Sequence, residues 1–270
     1  MSYNFKVYDL GNNEIHICSF PNYISSGGLN YNEDVEKSIE SIKKCNQSCS
    51  VTVSSYSTLD QDKKDLFNRL RAVRRSKDSI YKLALCNEWD FFTTFTFDNS
   101  NFRYDYDICI KRFRNWLSHL KQRFCSDLKY LFIVEPHKDG AYHLHGLMSG
   151  VDPQLLEVAG RSKKLSGVYV FKNYYFGICD VQPVVDSAKI SNYITKYITK
   201  ELFEKGSNKH NYFCSKGLKH PNVATFDLPG KRIDDFWLSN YPDYEVKHIY
   251  NGKNGTCYLS CKKKLTNDLE

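Results

Sequence analysis

Several features are missing from this 270-residue chain, and each absence narrows what it can be. None of the ten cysteines forms a CxxC pair. The two closest pairs, Cys45/Cys49 and Cys257/Cys261, are CxxxC, which is not the usual spacing of a zinc knuckle or a thioredoxin-type redox site. No apolar run is long enough to span a membrane, and no N-terminal apolar segment has the length of a signal peptide. The cysteines are therefore expected to be thiols of a cytoplasmic protein with no membrane partner. A GxxxxGK[ST] phosphate loop is also lacking, so any ATP-driven unwinding has to come from elsewhere. There is no internal repeat and no Pro/Gly/Ser-rich linker.

What is abundant points toward a polyanion. The formal net charge is +7, and 15% of residues are aromatic, with 20 tyrosines and 17 phenylalanines. Such rings serve first as core and sheet surface, and some can stack on bases. The cations cluster in "RLRAVRRSKDSIYK", where Arg71, Arg74 and Arg75 would form a basic helix stripe for DNA backbone contact.

The patterning reads as an α+β fold, a central antiparallel β-sheet flanked by helices, with N-terminal and C-terminal additions. Residues 1–30 read as short strands, 32–49 as a short amphipathic helix, and 48–61 as a serine-rich strip leading into the next helix. A helix is expected from Asp60 to about Cys86, with Leu66, Leu70, Val73, Ile80 and Leu83 on its apolar face. "EWDFFTTFTFD" (88–98) reads as a central strand and 106–124 as an amphipathic helix. Residues 152–161 suggest a short helix, 167–184 one or two strands, and 187–206 a helix opened by Ser187 and closed by Gly206. From Asn211 onward the tail alternates short strands and turns. The expected divisions are 1–87, an extension for DNA specificity or sheet completion; 88–221, the core; and 222–270, a β-rich extension.

The stretch "IVEPHKDGAYHLHGLM" (133–148) carries the strongest chemical signal. A two-residue turn at Asp139–Gly140 would pair Glu135 with Leu144 and part it from the histidines. A three-residue loop, Lys138–Asp139–Gly140 with Gly140 left-handed, is a common hairpin connection and pairs Glu135 with His143 and Ile133 with His145. Glu135, His143 and His145 then share one face, because side chains two apart on a strand point the same way. Two imidazoles and a carboxylate leave coordination positions open, as a catalytic metal requires. Zinc suits the ligand count; Mg²⁺ or Mn²⁺ suits it when a phosphate oxygen completes the shell. His137 shares the face nearer the turn.

"YITKYITK" (193–200) repeats a four-residue unit, placing Tyr193 and Tyr197 one turn apart, roughly 6 Å along a helix. Lys196 and Lys200 each follow a tyrosine by three residues and sit beside it. A phenol is a poor nucleophile at its ordinary pKa near 10, and a neighbouring ammonium favours its phenolate. Lysine also neutralises charge that develops on a phosphate under attack.

These segments together resemble the HUH endonucleases that initiate rolling-circle replication in single-stranded DNA phages and related plasmids. "FFTTFTF" (91–97) looks like the family's first motif, "HLH" (143–145) like the histidine–hydrophobe–histidine motif with Glu135 as third ligand, and "YITKYITK" like the two-tyrosine form of the third. "NYFCSKGLKHP" (211–221) is similar to a downstream segment and makes Lys216 a DNA-contact candidate. The resemblance spans 88–221 and implies a ferredoxin- or RRM-like sheet and a metal-dependent nuclease and strand transferase. It implies nicking of single-stranded or hairpin origin DNA by Tyr193 or Tyr197, on Mg²⁺ or Mn²⁺ held by Glu135, His143 and His145. A 5′-phosphotyrosine and a free 3′-OH result, with a host helicase and polymerase as partners. Relaxases and transposases share the chemistry but often use one tyrosine or another motif order. A silent DNA-binding protein would not need all five residues, and a zinc hydrolase would need a deep apolar pocket.

Overall fold

The computed structural model describes residues 2–25, 56–98, 101–159, 167–198, 212–252 and 255–264. The helix expected over 32–49 and Lys200 lie outside them, as does Arg71's side chain. The chain forms two compact units, one from residues 1–68 with 220–270, the other from 69–219. With two antiparallel sheets and four helices among the described residues, the α+β class is observed. No described helix is long and apolar enough to cross a membrane.

The first unit holds a five-stranded sheet built from both ends of the chain. Its strands are β1 (Ser2–Asp9), β2 (Glu14–Ser25), β10 (Asn222–Phe226), β11 (Tyr244–Asn251) and β12 (Cys257–Lys263), in the order β10-β1-β2-β12-β11. Alternate residues Phe5, Val7, Ile15, Ile17, Leu259 and Cys261 form one buried face, closed by Ile233 and Phe236 of helix α4 (Ile233–Asn240). That helix is absent from the strand-and-turn reading of the tail. Its Ile233 and Phe236 give too short an apolar pattern to stand out from strand alternation. On the other face the Glu14 carboxylate accepts from His16 Nε2 at 3.1 Å and from Ser260 Oγ at 3.3 Å. The His16 bond chiefly holds Glu14 below the ordinary value of 4.5. A depressed carboxylate contributes stability that is present above the ordinary value and lost as pH falls through the folded one. Glu14→Gln is therefore expected to lose less stability on acidification below pH 4.5 than the native chain, read by denaturant titration at stepped pH.

The larger unit is organised around a seven-stranded sheet of order β6-β7-β8-β3-β5-β4-β9. Its strands are β3 (Phe91–Thr96), β4 (Lys129–Pro136), β5 (Tyr142–Ser149), β6 (Leu156–Val158), β7 (Tyr169–Phe171), β8 (Cys179–Pro183) and β9 (Tyr212–Cys214). β3 lies at the centre, as its aromatic and β-branched composition predicts. One face carries Phe95, Phe132, Val134, Leu144 and Met148 under helix α2 (Tyr106–Arg123). Asp105 caps α2 by accepting from Ile108 N at 3.0 Å, and the helix buries Cys109, Ile110, Phe113, Trp116, Leu117 and Leu120, one apolar stripe at helical spacing. The other face carries Phe92, Leu131, Ile133 and Leu147. Onto it pack Val73, Ile80, Leu83 and Ala84 of helix α1 (Tyr56–Leu85) and Ile194 and Ile198 at the end of α3 (Ser187–Ile194).

Two element readings need correction. Residues 152–161 are a single 3₁₀ turn, Pro153–Leu155, and then strand β6, because Leu156–Val158 pair with Tyr169–Phe171. The helix expected over 187–206 is capped by Asp186, whose carboxylate accepts from Lys189 N at 3.0 Å, and is α-helical only to Ile194. It tightens to a 3₁₀ turn over Thr195–Tyr197 and leaves helical geometry at Ile198 (φ −84°, ψ 93°). Two β-branched residues near that end, Thr195 and Ile198, weaken its hold on helical geometry, and Ile198 is buried in the core.

Gly146 shows how tightly the hairpin is packed. It faces Phe132 across β4 and β5, and a Cβ there would lie 2.2 Å from the Phe132 ring. Gly146→Ala is expected to destabilise the unit by about 2–3 kcal/mol, the upper range for overpacking, as measured by urea unfolding.

Candidate active site

The hairpin adopts the three-residue loop. Glu135 pairs with His143 and Ile133 with His145. Gly140 has φ +89°, His137 N donates to Ala141 O at 2.7 Å, and Gly140 N donates to His137 O at 2.8 Å. Asp139 braces the loop by accepting from Ala141 N at 3.0 Å and pairing with Arg103 at 3.2 Å. The Ala141 N–H is the main reason its carboxyl sits below the ordinary value. Period-two alternation then carries Glu135, His143 and His145 to the sheet face that also bears α3.

His145 is the hub. Its Nε2 lies 2.8 Å from Glu135 Oε2, and its Nδ1 lies 3.1 Å from Oγ1 of Thr94, its cross-strand partner on β3. His145 is buried, and the Tyr197 ring stacks on it with centres 3.5 Å apart and planes 11° apart. His143 stacks instead against His137, centres 4.8 Å apart. Burial, and then the neighbouring imidazoles, hold His143 below its ordinary value, so it stands neutral and available as a donor near neutral pH.

The two tyrosines meet at their hydroxyls. Tyr197 Oη donates to Tyr193 Oη at 3.0 Å, and the Lys196 Nζ lies 3.5 Å from the Tyr193 ring centre and 4.8 Å from that of Tyr197. Their environments diverge. Lys196, and then the hydrogen bond from Tyr197, draw the Tyr193 hydroxyl below the ordinary phenol value. Burial first, and then its role as donor to Tyr193, push the Tyr197 hydroxyl well above it. Tyr193 is 44% exposed. Phe92 braces the group, edge-on to Tyr193 at 5.4 Å and stacked toward Tyr197 at 6.2 Å.

Glu135, His145, Tyr193, Tyr197 and Lys196 thus come together. His143 shares their face opposite Glu135. Arg74 and Arg75 are exposed on α1, and Lys216 is exposed in the turn after β9. The structure does not bring these three cations to the histidines or tyrosines by any hydrogen bond, ion pair or ring contact among the described residues. Two residues not singled out from sequence also enter the site, Phe92 and Thr94. Both lie on alternate positions of "FFTTFTF", and the alternation itself puts 92, 94 and 96 on one face and 93, 95 and 97 on the other.

A divalent cation fits this donor set by type and by face: two imidazoles and a carboxylate project from adjacent strands, and His145 is held from behind by Thr94. Among the described residues, however, no three His, Cys, Asp or Glu side chains converge on one point. Glu135 and His145 bond each other, so a cation there would take the place of the proton between them.

Charge separates the two units. Residues 69–219 carry 25 Lys and Arg against 15 Asp and Glu, whereas the rest of the chain carries 13 against 16. The polyanion-binding surplus therefore belongs to the unit that holds the tyrosines.

No curated protein and no solved structure matches the chain. Residues 90–202, from the start of β3 past the tyrosines, match the model of a family of replication-associated proteins of the ORF2 type, which supports a DNA-interacting protein of replication initiation.

Proposed function

We propose that this protein is a two-tyrosine HUH-type initiator that nicks and rejoins single-stranded or hairpin origin DNA. The observation that carries the reading is the stack of Tyr197 on His145 with the Tyr193 hydroxyl bonded to that of Tyr197, on the face where Glu135 and His143 stand. The family match to 90–202 supports it independently.

In this reading Glu135, His143 and His145 hold Mg²⁺ or Mn²⁺, which supplies polarisation of the scissile phosphate. Tyr193 is the first nucleophile: its hydroxyl is accessible, accepts from Tyr197 and lies beside the Lys196 ammonium. Its phenol proton is lost and its oxygen bonds to phosphorus. The bond to the 3′-oxygen breaks, and that oxygen takes up a proton. The products are a 5′-phosphotyrosine and a free 3′-OH. Lys196 offsets charge on the equatorial oxygens. Tyr197 is held in reserve for the return transfer, its proton committed to Tyr193 until Tyr193 is esterified. A host polymerase extends the 3′-OH and a host helicase supplies unwinding in the cytoplasm.

The test is to incubate the protein with end-labelled single-stranded DNA and Mn²⁺ and resolve the products on a denaturing gel. A labelled band that migrates with the protein supports the reading. Persistent DNA binding with no such band on any origin-like strand would reduce the protein to a silent DNA-binding fold.

A further inference from the structure

The far side of the catalytic sheet carries a charged surface that the nicking chemistry does not use. Helix α2 packs its apolar stripe on the face of Phe95, Phe132 and Met148, opposite the histidines. Its outward positions from 111 to 123 are Lys111, Arg112, Arg114, Lys121 and Arg123, with Asn115, Ser118, His119 and Gln122 between them, all exposed. No carboxylate follows Asp107 on this helix. None of the five cations forms an ion pair among the described residues. A solvated helix face ordinarily interleaves both signs, and like charges one turn apart repel, so five unpaired cations are retained at a cost. Two of them are held in place: the Arg112 guanidinium lies 4.2 Å over the Phe102 ring, and that of Arg114 lies 4.8 Å over the Phe213 ring.

We infer that this face of α2 binds the phosphate backbone of duplex DNA next to the strand being cleaved. The inference rests on the reading that the substrate is DNA. Charge complementarity names the partner. Single-strand sites interleave cations with stacking platforms, and between Lys111 and Arg123 every aromatic ring, Phe113 and Trp116, is buried in the core. Cations without exposed rings suit phosphates whose bases are already paired. Lys111 to Arg123 covers about 18 Å at 1.5 Å per residue, enough to face several phosphates, since a duplex presents one per strand every 3.4 Å or so.

The test compares the full chain with the combined variant Lys111→Gln, Lys121→Gln, Arg123→Gln, which leaves both ring-stacked arginines in place. Affinity for a hairpin with a long stem and for an unpaired oligonucleotide of the same cleavage sequence is measured across a salt series, with thermal melting to confirm folding. Each lost phosphate contact should reduce the slope of log affinity against log salt by about 0.9, so the variant's stem-hairpin slope should fall by roughly 2 to 3. Stem-hairpin affinity should fall at least tenfold near physiological salt, while affinity for the unpaired strand and the yield of protein–DNA adduct stay unchanged. An unchanged slope would overturn the inference and leave a solvated face. An equal loss on the unpaired strand would overturn it too, by making this a single-strand path. Wild-type protein that gives no adduct but shows the slope difference would sink the nicking reading and keep this one.

Discussion

Tyr193→Phe is expected to abolish the first covalent adduct, a loss on the order of a thousandfold or more, because the substitution removes the attacking oxygen and leaves the rest of the ring in place. The Phe92 edge contact at 5.4 Å and the Lys196 contact with the ring face both survive it, so binding should be nearly unchanged. Tyr197→Phe is expected to behave differently. It removes one hydrogen bond to the Tyr193 oxygen, worth about 0.5–1.5 kcal/mol, so first cleavage should slow by about tenfold at most. The ring that stacks on His145 remains. What Tyr197→Phe should lose is the second transfer: the adduct should accumulate and closed-circle product should disappear. Single-turnover adduct formation and circle formation, measured side by side, separate the two roles. If Tyr193→Phe still forms the adduct and Tyr197→Phe does not, the assigned order is reversed. Equal adduct from both single variants, with loss only in the double, would make the tyrosines interchangeable in the first step.

The contrast between the tyrosines also marks where sequence reading stops. "YITKYITK" repeats perfectly, so nothing local distinguishes its two halves. The distinction comes from tertiary contacts: Tyr197 falls in the 3₁₀ turn, where it meets His145, whereas Tyr193 remains on the α-helical turn facing solvent. The hairpin is far more legible. Gly140 and the loop length select one register, and the period of two does the rest, so the shared face of Glu135, His143 and His145 follows from local rules. Thr94 is legible in principle from strand alternation, but its role needs the β3–β5 register, and antiparallel partners distant in sequence leave no local signal. The sheet joining the N-terminal and C-terminal segments is hidden for the same reason: Phe5 pairs with Phe226 across more than two hundred residues. The end of α3 escapes a reading by periodicity because a helical apolar period continues through Ile194 and Ile198 while the backbone does not.

Removing the divalent cation should be as damaging as removing Tyr193, and the reason lies in how His145 is held. With Thr94 Oγ1 behind Nδ1 and Glu135 Oε2 before Nε2, both ring nitrogens are engaged and the imidazole plane is locked. A hydroxyl can act as donor or acceptor, so Thr94 can take the Nδ1 proton when Nε2 gives its lone pair to a cation. Mn²⁺ at a hundredfold excess over its dissociation constant should stabilise the native chain by about 2.7 kcal/mol, visible as a rise in melting temperature. That rise should vanish in Glu135→Ala and in His143→Ala, together with at least a hundredfold of adduct formation. Thr94→Val keeps the shape of the side chain and should weaken Mn²⁺ by about tenfold, with Thr94→Ser restoring it. A Mn²⁺-dependent rise that persists in Glu135→Ala would place the cation elsewhere on the protein. Cleavage that survives chelation would separate the tyrosines' chemistry from any metal and leave Lys196 as the principal source of positive charge at the phosphate.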